Sequence, residues 1–207
     1  MKTTNKLKTL TLLLALAAPA AAIAESTFQT GAGALNASAK VDFQITIPKI
    51  LFLQVGAGAL YANNTTVNLI DFNVPAASVG NGTAIAATAA SGDLGNGAVT
   101  AIVRGNNGTV TLNATATGAL GNGSGDTINF SEIVTTPTAL TTATVLAAPT
   151  LANGVSGNVT INPAPAKVVN RDARWTYTYA NSAVVAPGTY GGVNVNNGRV
   201  TYTAAMP

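Results

Sequence analysis

Few residue types in this chain can do chemistry, and two of the most useful are absent. Its 207 residues include no His and no Cys. That removes Ser-His-Asp and Cys-His nucleophiles, and every imidazole or thiolate ligand for zinc, copper, iron or haem. No Walker loop and no glycine-rich turn opening a helix marks a nucleotide site. Carboxylates remain. Asp71, Asp93, Asp126, Glu132 and Asp172 are the pool for any acid–base pair of the glycoside-hydrolase kind. They are scattered, and no spacing pairs them. Acidic residues in polar β-loops ordinarily serve turns. The chain reads as non-enzymatic and without a cofactor.

Two motifs point to binding. Gly121-Asn122-Gly123-Ser124-Gly125-Asp126-Thr127-Ile128-Asn129 partly matches the calcium-binding glycine-rich nonapeptide. Asn122 and Ser124 stand where that motif has glycines, and there is one copy where the architecture needs stacked repeats. A polar hairpin loop is the simpler reading, so no metal site is assigned. Trp175, Tyr177 and Tyr179 fall at i, i+2 and i+4 and share one face of a strand. Exposed, they would form a stacking platform for a sugar. Buried, they would fill a core, which is the commoner fate of large aromatics. Asn64-Thr65-Thr66 and Asn113-Ala114-Thr115 are glycosylation sequons that an Asn- and Thr-rich chain produces by chance.

The first 24 residues differ in kind from the rest. Lys2, Lys6 and Lys8 are followed by an apolar run from Leu10 to Ala18, then Pro19, then Ala22-Ile23-Ala24 before Glu25. This is the charged, apolar and small-residue order of a secretory signal, with cleavage expected after Ala24. The run is shorter than the ~20 residues of a spanning helix, and no Cys follows for a lipid anchor. Export to the periplasm, cell surface or medium is expected, with no integral membrane segment in residues 25–207. Without Lys2, Lys6 and Lys8, seven basic residues face seven acidic ones. The net charge of +3 thus belongs to the signal, and no basic patch for nucleic acid is left.

Period-two alternation dominates residues 25–207. Leu35, Ala37, Ala39, Val41, Phe43, Ile45 and Ile47 occupy odd positions, with Asn36, Ser38, Lys40, Asp42, Gln44 and Thr46 between them. This predicts a strand with one apolar face, ended by Pro48. Pairing within its own domain is the first expectation for it. Ile50 to Val55 reads as a strand buried on both faces, and Thr66 to Val74 as another. Ala98 to Arg104, the turn Gly105-Asn106-Asn107-Gly108 and the run from Val110 to Ala116 read as a β-hairpin. Trp175 to Tyr179 and Val200 to Ala204 are strands near the end. Gly80–Gly97, Gly118–Gly125 and Pro137–Gly157 are loops or weak strands, the last the best candidate for mobility. No segment beyond the signal carries a helical period. The predicted fold is all-β, an Ig-like antiparallel β-sandwich of Greek-key type, with residues 25–207 as one domain behind a cleaved signal helix.

Two segments carry a resemblance. They are Val41-Asp42-Phe43-Gln44-Ile45-Thr46-Ile47, and Pro187-Gly188-Thr189-Tyr190-Gly191-Gly192 leading to Arg199-Val200-Thr201-Tyr202-Thr203-Ala204. With the signal, they resemble the secreted β-sandwich surface proteins of bacteria that include pilin subunits, spore-coat-U-like proteins and WxL-type proteins. About a quarter of the chain is covered. The paired Cys of many pilins is missing, the chain ends Ala204-Ala205-Met206-Pro207 without a penultimate Tyr, and Trp175-Thr176-Tyr177 is not a W-x-L motif. The resemblance implies a surface or fimbrial-type subunit assembled by an added strand. Two functions are therefore carried forward. One is a structural or adhesive protein that associates with itself or other surface proteins. The other is a module that binds a carbohydrate or another surface polymer.

Overall fold

Alternating small apolar and Thr or Asn residues favour half-buried strands, as in the run from Val110 to Ala116. The computed structural model describes residues 26–207. The expected signal, with its cleavage after Ala24, lies outside the described residues. The strands are β1 (Leu51–Val55), β2 (Ile85–Ala86), β3 (Ala98–Gly105), β4 (Val110–Ala116), β5 (Leu120–Gly121), β6 (Thr127–Ile128), β7 (Ile133–Thr138), β8 (Val159–Ile161), β9 (Val169–Tyr179) and β10 (Val200–Ala205). All strand pairs are antiparallel. Helix among the described residues is limited to three short 3₁₀ turns, so the fold is all-β. No helix among them is long and apolar enough to cross a membrane.

The chain divides into two units, one ending at Ile47 and one running from Pro48 to Pro207. In the first, residues 26–47 form no strand. Thr27 Oγ1 donates to Ser38 O at 2.9 Å and the Asn36 amide to Gln29 Oε1 at 3.2 Å. The strand expected over Leu35–Ile47, with a partner in its own domain, is therefore not formed. Alternation decides which face would be buried. It does not supply the neighbouring backbone that a strand needs for its hydrogen bonds.

The second unit holds two main sheets. In one, β3 lies between β1 and β9, and β7 pairs with β9 from Ile133↔Tyr179 to Thr138↔Arg174. Short β2 also pairs with β9, at Ile85↔Tyr179. In the other, β4 lies between β10 and β8. β5 and β6 form a separate small hairpin.

β3 and β4 are not the expected hairpin. They belong to different sheets, and the Asn106–Gly108 turn carries the chain from one to the other. Each strand has one apolar face, Val99, Ala101 and Val103 on β3 and Val110, Leu112, Ala114 and Ala116 on β4. Those residues are buried in one cluster with Ala173, Trp175 and Tyr177 of β9. Alternation reads the same for a hairpin and for two strands that face each other across a core, so the sequence did not separate them. Two further expectations change. β1 is an edge strand whose residues are at most partly covered. The 66–74 run makes a single bridge, Phe72↔Ala87.

The long 137–157 loop is docked. Leu146, Pro149 and Leu151 are buried. Its anchor is Asp172, a buried carboxylate on β9. Oδ1 accepts the Thr141 and Thr142 amides at 2.9 Å each, and both threonine hydroxyls also donate to the carboxylate. Arg104 lies 3.9 Å from Oδ2. Burial by itself would raise the Asp172 pKa. The hydrogen bonds from Thr141 and Thr142 outweigh it and hold the group at about 2. A depressed folded-state pKa gives stability that is present above the unfolded value of 3.8 and lost as pH falls toward 2. The difference corresponds to roughly 2–3 kcal/mol. Asp172→Asn is expected to destabilise the fold by roughly 2–3 kcal/mol at neutral pH, since Arg104 then loses its counter-charge. The gap between wild type and variant, measured by urea denaturation, should narrow as pH falls from about 4 to about 2. A gap that stays constant with pH contradicts this role for Asp172.

Candidate functional site

The aromatics of β9 divide between core and cavity. Trp175 is fully buried. Its Nε1–H donates to Leu146 O at 2.8 Å, and its ring lies 5.4 Å from that of Tyr202, tilted by 49°. Tyr177 and Tyr202 share a hydroxyl–hydroxyl hydrogen bond of 2.8 Å. Burial raises the pKa of both, Tyr202 to about 12. Tyr179 is buried as well. A stacking platform built on Trp175 is thus closed off, because alternation directs residues 175, 177 and 179 inward together.

Tyr177, Tyr179 and Tyr202 instead line a large groove of about 810 Å³ in the Pro48–Pro207 unit. Its buried floor includes Val99, Phe130 and Leu151. The rim is made by residues 67–74 and by the 185–200 loop, where Val67, Leu69 and Val193 are exposed. The 67–74 run is held on one side, by Thr88 N to Asp71 O at 2.8 Å and Gly92 N to Leu69 O at 3.3 Å. The 185–200 loop is tied to β5 by Gly191 N to Gly121 O at 2.8 Å and Gly121 N to Asn196 O at 2.9 Å. It closes where Gly198 meets Gly192. A Cβ on Gly198 would collide with the Gly192 backbone, so no side chain fits there.

Sequence reading missed Asn181, which lines this groove just past the end of β9. It is buried with a φ of 53°. Its side chain accepts the Gly80 amide at 2.8 Å and donates to Ser78 O at 2.6 Å, fastening the 78–83 loop. A lone Asn in an Asn-rich chain carries no signal of such a position.

Three other acidic residues brace local structure, and Asp71 lines the groove. Asp93 Oδ1 accepts the Thr100 amide at 3.0 Å, and Glu132 accepts the Ser182 hydroxyl at 2.6 Å. Asp126 Oδ2 accepts from Asn122, whose own Oδ1 takes the Ser124 and Asp126 amides. The partial nonapeptide is therefore a side-chain-braced turn between β5 and β6. Among the described residues, no group of three acidic side chains is placed to hold a metal.

The first unit contributes a second feature. Val41, Phe43, Ile45 and Ile47 are 72%, 89%, 84% and 77% exposed. Such a row is unusual on a soluble protein, which seldom leaves contiguous large apolar side chains in water. The groove and this row are the two candidate binding features. Compared with protein-family models, with curated proteins and with solved structures, the chain matches none.

The buried indole makes a direct prediction. Trp175 fluorescence should be blue-shifted, poorly quenched by acrylamide, and unchanged by soluble glycans. Ready quenching would place the ring at the surface. Trp175→Ala should destabilise the fold by about 3–5 kcal/mol in chemical denaturation.

Proposed function

We propose that this chain is an exported, non-catalytic structural or adhesive protein of the bacterial surface or extracellular space. In this reading it is a fimbrial-type subunit, and its two-sheet body is an Ig-like sandwich. The observation that carries it is the exposed row at Val41, Phe43, Ile45 and Ile47. Odd-numbered apolar residues with polar ones between them supply the pattern of a strand, and residues 41–47 pair with no strand among the described residues. Strand addition to another molecule supplies both missing parts, backbone hydrogen bonds and pockets for alternate side chains. Fully burying one Phe or Ile contributes about 1.5–3 kcal/mol, so four such residues make a substantial driving force.

Export rests on the residue order of the first 24 positions, and the surface role on the resemblance to secreted β-sandwich surface proteins. The carbohydrate-binding alternative loses its main support with the burial of Trp175.

The test uses the mature protein, residues 25–207, and its Phe43→Asn, Ile45→Asn double variant. Wild type should form oligomers or fibres, seen by sedimentation and negative-stain electron microscopy. The variant should remain monomeric with the same circular dichroism and Tm, because both side chains are already in water in the single chain. A wild type that stays monomeric at all concentrations, or a variant that associates equally well, overturns the proposal.

A further inference from the structure

We infer that the groove of the Pro48–Pro207 unit binds a small, uncharged apolar molecule that carries carbonyl oxygens. This binding is separate from the self-association proposed above. Size and lining meet the general needs of such a site. The volume of about 810 Å³ falls within the range of roughly 300–1,000 Å³ usual for small-molecule pockets. Phe130 and Leu151, both buried, and half-buried Leu120 and Ile133 give the groove an apolar lining. An apolar body is what such a surface covers best.

The polar groups set among these side chains choose the ligand's chemistry, because they are donors that lack acceptors. Tyr179 lines the groove and is 6% exposed. Its hydroxyl has no hydrogen-bond partner among the described residues, and it is not sealed off as the Thr135 hydroxyl is. Tyr177 and Tyr202 are bonded to each other. Two hydroxyls carry two hydrogens, and one bond uses one of them, so the second is without an acceptor among the described residues. Asn181, the buried amide of the lining, is already engaged by the Gly80 amide and by Ser78 O. The Tyr190 hydroxyl donates to Ala186 O at 2.7 Å. Burial raises the pKa of Tyr177, Tyr179 and Tyr202, so all three remain protonated donors near neutral pH. A buried donor without an acceptor is unfavourable, and a carbonyl oxygen, which accepts and never donates, relieves it.

Charge narrows the class further. Arg199 and Asp71 are the charged residues of the lining, and their charges cancel. Glu132 lies near enough to Tyr179 to add to the rise in its pKa. A carboxylate brought to that hydroxyl would meet a like charge. An ammonium or a sugar would set its own donors against the tyrosine hydroxyls or the apolar lining. An uncharged ketone, ester or quinone on an apolar frame meets neither obstacle.

Three probes of one shape test this by isothermal titration calorimetry with the mature protein, residues 25–207. They are 2-acetylnaphthalene, its hydrocarbon match 2-isopropylnaphthalene, and 2-naphthoate. The ketone should bind at least tenfold more tightly than either of the others. Tyr179→Phe should weaken the ketone about fivefold, the loss of one hydrogen bond, and leave the hydrocarbon and the urea midpoint unchanged. Equal binding of ketone and hydrocarbon would show a merely greasy surface and overturn the inference. So would tightest binding of naphthoate, which would make Arg199 the selecting group, or no binding of any probe. The same titrations with the Phe43→Asn, Ile45→Asn protein separate this site from self-association. Unchanged affinities there support the groove of a single unit, whether or not the wild type assembles. Ketone binding that disappears with assembly places the site between copies and overturns it.

Discussion

The structure depends on burying the apolar face of β4 against that of β3 and β9, with the Trp175 ring between the sheets. Val103, Val110, Leu112 and Trp175 are fully enclosed, and Ala101, Ala114 and Ala173 fill the space beside them. Large and small side chains thus share the core, a mix that suits close packing better than large residues alone. The indole N–H is satisfied by Leu146 O, so the one strongly polar atom of the ring also fixes the 137–157 loop. With no disulfide available, this packing and its hydrogen bonds carry the stability of the unit.

The few charges left on the body are used with economy. Asp172 sits under the docked loop and is held by two backbone amides and two hydroxyls. Several donors converge on one anion there, as they do at a capped helix terminus, although no helix ends at Asp172. Asn replaces acidic residues elsewhere. Asn68 Oδ1 accepts the Ala57 amide at 2.7 Å, Asn106 secures the first strand and Asn181 the 78–83 loop. Five asparagines also take positive φ, a conformation that Asn tolerates better than most residues. The high Asn content is thus explained by loop construction and calls for no glycosylation.

Local pattern revealed some elements and hid others for definable reasons. β3, β4, β10 and the Trp175–Tyr179 half of β9 were legible in their alternation, although the longer alternation over Leu35–Ile47 made no strand for want of a neighbouring backbone. Their assembly into sheets was not, since the Asn106–Gly108 turn suits both a hairpin and a crossing between sheets. β2, β5, β6 and β8 are two or three residues long, too short to show a period. Trp175 and its neighbours were rightly placed on one face, but only the fold showed that the face is inward. The groove was hidden altogether. Its rim comes from runs more than a hundred residues apart, and it owes its existence to edges left unpaired rather than to any motif.

Those unpaired edges connect stability to the proposed role. Exposed sheet edges and apolar rows invite aggregation, and proteins usually blunt them with charge, proline or a bulge. β7 follows that practice, with Pro137 on the outermost strand of its sheet. β10 does not: its sequence Val-Thr-Tyr-Thr-Ala-Ala contains neither a charge nor a proline. Nor does the 41–47 run, whose single charge lies on its polar face. The chain thus protects one sheet edge and leaves another bare, and strand addition of the kind proposed needs a bare edge.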